Sequence, residues 1–326
     1  MTATFMRLAG VLVTALCLGQ SAFAQAPAKP ECIAPAKPGG GFDLTCKLAQ
    51  SALQQGGYLS DPLRVSYMPG GIGAVAYNAI VAQRPDESGT IVAFSGGSLL
   101  NLAQKKFGKY GVDEVRWLAA IGADFGMIAV RADSPYKSLG EMMAALKKDP
   151  TAVVFGAGGT IGSQDWMKAA LIARQAEVDY KRMRYVAFEG GGETLTALLG
   201  GHIQAYTGDV AEIVPHLAAG KIRVLAVLAD ERLDGPAANL PTAKEQGFDI
   251  SWPIIRGFYM GPKVADGDFQ WWVQTFDKMM ATPEFAKLRA ERGLFPFNKT
   301  GAALDAFVKE RVSSFQRLAG EFGLTK

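Results

Sequence analysis

The sequence predicts an α/β protein of two domains, each a largely parallel sheet flanked by helices, and three observations carry that expectation. Short apolar runs alternate with segments of helical periodicity along most of the chain. Several of those runs end in glycine-rich turns that lead directly into a helix pattern. Removing an amino-terminal leader leaves about 300 residues, a length that usually splits into two hydrophobic cores.

The leader is residues 1–24. Arg7 is its only charge, an apolar stretch follows from Leu8 to Leu18, and Ala22-Phe23-Ala24 supplies an A-x-A cleavage site. Export is expected, with Gln25 as the first mature residue. Cys17 is not read as a lipoprotein cysteine, because Leu16 stands before it where a small residue is required. No later stretch is long and apolar enough to cross a bilayer. The 34 Lys and Arg against 31 Asp and Glu become 33 against 31 once Arg7 is lost, a formal charge of +2. The basic residues are scattered, with no run beyond the pairs Lys105-Lys106 and Lys147-Lys148, so no nucleic-acid partner is expected.

The first element is the run Cys32 to Ala34, ended by Pro35 and Pro38 and by the triplet Gly39-Gly40-Gly41. A helix follows, with Leu44, Leu48, Ala49, Ala52 and Leu53 on one face, Asp43 as its expected N-cap and Gly56-Gly57 as its stop. A glycine loop opening a helix presents unpaired backbone amides, which favour a carboxylate or phosphate. Further strands are expected at Arg64 to Met68, Thr90 to Ser95, Met127 to Arg131, Ala152 to Phe155, Arg184 to Phe188, Ala205 to Thr207, Arg223 to Leu228 and Gly257 to Gly261. Helices are expected at Gly73 to Gln83, Leu139 to Lys147, Gln164 to Gln175, Glu193 to Leu199, Val210 to Ala218, Phe269 to Met280 and Ala302 to Phe322.

The ends of these strands share one chemistry. Met68 runs into Pro69-Gly70-Gly71-Ile72-Gly73, Phe94 into the loop Ser95-Gly96-Gly97-Ser98, Phe155 into Gly156 to Ser163, and Phe188 into Glu189-Gly190-Gly191-Gly192. In open α/β sheets ligands lie beyond the carboxyl ends of the strands, so these loops are expected to converge on one crevice. Cys32 and Cys46, an even pair in an oxidising compartment, are expected to form a disulfide across the first loop, with two buried free thiols as the alternative.

Enzyme signatures are weak. Gly71-Ile72-Gly73-Ala74-Val75-Ala76 fits a dinucleotide loop, but the next strand offers no acidic residue for a ribose. There is no phosphate-binding G-x-x-x-x-G-K-[ST] loop and no G-x-S-x-G elbow. His202 and His216 lack metal spacing, and no metal or cofactor is expected. An exported hydrolase is the alternative class.

An ordered set of motifs remains: Ala36 to Thr45, Pro69 to Gly73, Ala187 to Glu193 with Leu198 to Ile203, Ala219 to Val227, Leu240 to Gly247, and Arg256-Gly257. Together they resemble the Bug-type substrate-binding proteins of tripartite tricarboxylate transporters, over essentially the whole mature chain. The resemblance implies a periplasmic clamp of two domains, class II in topology, that holds a small carboxylated solute and delivers it to a two-subunit membrane permease. It is closest to the tricarboxylate branch, where citrate-like ligands are expected. A departure lies at Gly158-Gly159-Thr160-Ile161-Gly162-Ser163-Gln164-Asp165-Trp166, where Trp166 stands near the position of a histidine in that branch. Phe42, Phe188, Phe258 and Tyr259 leave open an aromatic carboxylate, although Phe188 and Phe258 are read first as core residues.

The expected ligand-binding residues follow from the loops. Gly40, Gly41, Phe42, Asp43, Gly70, Gly71 and Ser95 act from the first domain, and Gly158, Thr160, Ser163, Gln164, Gly190 and Gly191 from the second. Asp209 is expected to orient or bind water rather than meet an anion. Lys37 or Arg256 would neutralise an extra carboxylate, with a solvated surface role as the alternative for each. Chain crossings near Gly122 to Met127 and Ile250 to Gly257, with Arg223 to Ala229 as the alternative return, give domain I as residues 25–125 plus 250–326 and domain II as 126–249. A monomer is expected, with a sensor kinase as a further candidate partner.

Overall fold

The computed structural model describes residues 26–324. The expected leader and its cleavage point before Gln25 lie outside the described residues. The chain enters through β1 (Glu31–Ala34), α1 (Gly41–Gln55), β2 (Arg64–Tyr67), α2 (Ala74–Ala82), β3 (Thr90–Ser95) and α3 (Gly96–Ala103). A 16-residue strand, β4 (Arg116–Arg131), follows. The second lobe is α4 (Leu139–Lys148), β5 (Val154–Gly158), α5 (Gln164–Gln175), β6 (Arg184–Phe188), α6 (Gly191–Leu199), β7 (Ala205–Asp209), α7 (Val210–Leu217) and β8 (Ile222–Leu228). The return is β9 (Pro253–Met260), and α8 (Asp266–Met280), α9 (Pro283–Glu291), β10 (Lys299–Thr300) and α10 (Gly301–Glu321) complete the described chain.

β4 belongs to two sheets. Its first part, Arg116 to Phe125, pairs with β9, and its last part, Gly126 to Arg131, pairs with β7 and β8. One sheet runs β2-β1-β3-β9-β4 with β10 at its edge, and the other β6-β5-β7-β4 with β8 also on β4. The expectation of largely parallel sheets is corrected. Between the named strands, parallel pairing is confined to β2-β1-β3 and β6-β5-β7, whereas β4 and β9 pair antiparallel with every neighbour. The strands that carry the chain between lobes return in the opposite sense, so the middle of each sheet is mixed.

Local chemistry explains most other departures. Asp43 is not the N-cap of α1. Gly40 takes that place, and Asp43, inside the first turn, accepts a hydrogen bond from the Gly39 N–H at 2.8 Å. The stretch Ser95 to Ser98 is not a loop, because the Ser95 side chain caps α3 by accepting from the Gly97 N–H at 3.2 Å. β4 begins well before Met127, the expected start. Gly122 and Asp124 interrupt its apolar pattern, yet both are buried, Asp124 against Arg256. β9 likewise starts at Pro253 rather than Gly257, with Arg256 inside the strand.

Cys32 and Cys46 are joined by a disulfide that fastens β1 to α1. α1 buries Leu48, Ala49, Ala52 and Leu53 against the first sheet, and α8 adds Phe269, Trp272 and Phe276 to the same core. A second core runs behind the crossing strands and takes in Trp166, Trp252 and the buried face of α10. Burial on this scale contributes about 25 cal/mol per Å² of apolar surface. It leaves the loops at the carboxyl ends of β1, β3, β5, β6 and β7 free to face one another.

Candidate functional site

Two adjoining cavities lie where those loops meet. An inner chamber of about 40 Å³ is lined by Gly40, Gly41, Phe42, Ser95, Gly158, Ser163, Gln164, Gly190, Gly191, Asp209 and Arg256 from the expected set. An outer cavity of about 540 Å³ is lined by Lys37, Gly71, Thr160 and again Ser163. Ile72, Asn101 and Ser163 border both cavities, which are therefore neighbours.

Asp43 and Gly70 line neither cavity. Asp43 is buried and accepts from Gly39 N–H, Tyr67 OH and Lys47 Nζ, each at 2.8 Å, so it braces the glycine loop from behind. Phe188 corrects the core reading, for it is only partly buried and forms part of the outer wall. Phe258 and Tyr259 are core residues. Trp166 is buried too, packed edge-on against Tyr180 and Phe322.

Arg256 is not on the surface. It is 1% exposed, donates from Nε to Asp124 Oδ2 at 3.0 Å and from Nη2 to Asp209 Oδ2 at 2.8 Å. The backbone of α1 passes so close that a Cβ on Gly41 would lie 1.9 Å from Arg256 Nη1. Lys168, fully buried on α5, donates to Asp165 Oδ1 at 2.7 Å, to the Gly208 carbonyl at 2.8 Å and to Asp209 Oδ1 at 2.5 Å. Asp209 therefore bridges two cations that come from different lobes. Lys37, in contrast, is exposed and pairs with Glu193 at 2.8 Å across the mouth.

Glu212, the third residue of α7, completes the wall. Its Oε1 accepts from the Gly41 N–H at 2.8 Å, and its Oε2 accepts from the Asp209 N–H at 3.2 Å and from the Tyr206 hydroxyl. The carboxylate that sits on the first turn of α1 is thus the protein's own. Four buried acids, Asp124, Asp165, Asp209 and Glu212, face two buried cations, Lys168 and Arg256.

The titration behaviour follows from this imbalance. Burial and the neighbouring Asp209 push Glu212 up to about 7. Burial, opposed by Lys168 and reinforced by Asp209, pushes Asp165 up to about 6. Burial also raises Asp124 against the pull of Arg256. Asp209 is held below its ordinary value: burial opposes this, but Lys168 and Arg256 outweigh it. Both cations stay charged, since the acids around them overcome the effect of burial.

Sequence reasoning missed Glu212, Asp165, Lys168 and Asp124, together with Ile72, Asn101 and Lys106 in the cavity walls. One signal was available. Asp209-Val210-Ala211-Glu212 has capping-box spacing at the end of a strand. The others come together only in three dimensions. Lys106 lines the outer cavity, donates to the Ile161 carbonyl at 2.9 Å, and has no carboxylate partner among the described residues. No group of three or more His, Cys, Asp or Glu among the described residues is arranged to hold a metal ion.

The sequence matches the family described as "Tripartite tricarboxylate transporter family receptor" (TctC) over residues 48–324. It is 24% identical over 299 residues to the "UPF0065 protein in gbd 5'region" of Cupriavidus necator, covering 88% of this chain and 85% of that protein. The structure of the periplasmic binding protein BugD superposes with a TM-score of 0.81 at 20% identity, covering 92% of this chain and 99% of that one. MatC of Rhodopseudomonas palustris with bound malate superposes with a TM-score of 0.78 at 20% identity, covering 89% and 98%.

Proposed function

The chain belongs to the Bug-type receptors of the tripartite tricarboxylate transporter family, and we propose that it captures a small carboxylate between its lobes and passes it to a two-subunit membrane permease. The exported-hydrolase reading falls with that membership. In this reading the chain works in the periplasm, after removal of residues 1–24. Domain I, of residues 25–125 and 250–326, closes on domain II, of residues 126–249.

The observation that carries the reading is Lys106, which has no carboxylate partner among the described residues and stands in the wall of the 540 Å³ cavity beside the glycine-rich turns at Gly71 and Gly159-Thr160. A ligand carboxylate there meets an ammonium and open backbone, and a charge-assisted hydrogen bond contributes about 1.5–3 kcal/mol. The lobes also bind each other across the cleft. Gln104 Nε2 donates to the Gly162 carbonyl at 2.7 Å, Lys37 pairs with Glu193, and Gly41 donates to Glu212. A ligand that adds a few bonds made only in the closed form shifts the open–closed balance toward closure.

Citrate-like acids and the malate held by MatC set the first candidates. Phe188 in the outer wall and Phe42 in the inner one support an aromatic carboxylate as a second reading. Titration calorimetry of residues 25–326 against citrate, malate, adipate and benzoate tests the proposal. Micromolar or tighter binding without turnover is expected for at least one, with an affinity about tenfold weaker in Lys106→Met. Binding by none, to protein that unfolds cooperatively, overturns it.

A further inference from the structure

Ile72 stands on the border between the outer cavity and the inner chamber, in the turn that leads from β2 into α2. Its backbone lies in the left-handed region, with φ 49° and ψ 55°. Gly70, Gly71 and Gly73 around it also have positive φ, at 136°, 58° and 101°, which glycine adopts freely. A β-branched side chain on such a backbone is an outlier. The other non-glycine residues with positive φ among those described, Lys29, Lys105 and Glu177, are all unbranched at Cβ. The turn would therefore form with less strain on a glycine at position 72. Strain of this kind persists where surrounding structure holds it, and it gathers at ligand clamps.

The side chain reaches across the cleft. A Cβ on Gly159, in the turn after β5, would lie 2.9 Å from Ile72 Cγ1, so the second lobe offers bare backbone where the isoleucine arrives. Ile72 is half-buried and packs on the core of the first lobe as well. The two residues that share the border with it are polar and already engaged. Asn101 Nδ2 faces the Ile72 carbonyl at 3.5 Å, and Ser163 Oγ accepts from the Trp166 N–H at 3.3 Å. Of the three residues that line both cavities, only Ile72 brings apolar bulk.

We propose that Ile72 is a specificity-determining residue: its side chain, seated against Gly159, is the partition that keeps the ligand in the 540 Å³ cavity and out of the 40 Å³ chamber, and so limits the size of acid on which the lobes close. The left-handed backbone aims the side chain at that border. With the side chain removed, the chamber and the space it vacates add to the room for the far end of a ligand. Packing on the first-lobe core would need neither a place between two cavities nor a bare glycine opposite. The inference rests on the carboxylate-capture reading and adds a size limit to it.

Calorimetry with acids paired by size tests it: succinate against suberate, citrate against homocitrate, and benzoate against 4-butylbenzoate. In each pair that binds, the wild-type protein is expected to hold the smaller acid about tenfold or more tightly. Ile72→Gly is expected to shrink that ratio to within about threefold, and Ile72→Ala gives a second arm should Ile72→Gly fail to fold. A substitution that only loosens the turn weakens both acids alike, so an unchanged ratio overturns the inference. Urea unfolding supplies a separate readout. The midpoint of Ile72→Gly is expected at or above that of Ile72→Ala, because only glycine relieves a φ of 49°. A lower midpoint for Ile72→Gly overturns the strain from which the inference starts. A wild-type protein that binds the larger acid of each pair as tightly as the smaller overturns the size limit and leaves carboxylate capture standing. Binding of no acid in the panel overturns carboxylate capture itself.

Discussion

Gly41 and Glu212, 171 residues apart, are joined across the cleft by a 2.8 Å hydrogen bond from a backbone N–H to a side-chain carboxylate. Gly41 opens the helix that the glycine triplet introduces, and Glu212 closes the first turn of the helix that follows β7. Each lobe presents a helix terminus to the other, and one carboxylate serves both. Glu212 accepts from the Asp209 N–H within its own lobe while holding the amide of the opposite one.

Glycine contacts at the rim set how far the lobes can approach. A Cβ on Gly192 would lie 2.7 Å from both the carbonyl carbon of Gly39 and the carbonyl oxygen of Pro38, which are backbone atoms with no rotamer to adopt. Gly192→Ala is expected to hold the lobes apart, raising the radius of gyration in small-angle scattering with saturating ligand and weakening binding about tenfold. Wild-type affinity and an unchanged scattering curve would show that the rim does not limit closure.

Arg256 lies between Asp124 and Asp209, all three nearly inaccessible to water. Arg256→Met leaves two buried acids without that cation, and breaking a buried pair in this way costs about 3–5 kcal/mol. The midpoint of urea unfolding should fall accordingly. A loss below about 1 kcal/mol would mean that the acids take up protons at little expense.

The raised acids make stability fall as pH rises. Glu212, ordinarily 4.5 and here about 7, and Asp165, ordinarily 3.8 and here about 6, each bind a proton more tightly folded than unfolded. Their contribution is complete below the unfolded values and is lost as pH rises through the folded ones. The melting temperature is expected to drop between about pH 5 and pH 7.5. Glu212→Gln, which cannot titrate, should flatten the upper part of that window. The groups facing Glu212 in this balance are Asp165, Asp209, Tyr206 and Arg256. A melting temperature that rises over the same interval would contradict the assignment.

The Cys32–Cys46 bond closes a loop of 14 residues in sequence separation. On the chain-entropy account a loop of that size is worth about 3 kcal/mol. Reduction, or replacement of both cysteines by alanine, should lower the unfolding free energy by that amount. It should also weaken binding, since the bond anchors the loop that carries Gly40 and Gly41. Equal stability of the oxidised and reduced forms would remove that role.

Much of this molecule was legible in short stretches of sequence. The strand-to-helix glycine turns, the cysteine pair and the exact extents of Thr90–Ser95, Gln164–Gln175 and Arg184–Phe188 rest on local patterning and turn chemistry, which operate over a few residues. The same locality explains the misses. Asp43 has the residue type of an N-cap, but Tyr67 and Lys47 draw its side chain to the back of the loop. Trp117 to Ala123 carries no alternation that marks a strand, because both of its faces are covered.

What the sequence determined by itself was the two-lobed α/β plan and the convergence of glycine loops at one end of each parallel strand set. Those features follow from backbone preferences and apolar spacing. The tertiary structure alone decided which charges share the chamber. Asp124, Asp165, Lys168, Asp209, Glu212 and Arg256 are scattered over five elements, and their effect on one another depends on distance and burial rather than on neighbours in the chain. Folding brings four acids and two cations into one buried cluster, an imbalance invisible in the formal charge of +3 that the whole sequence carries.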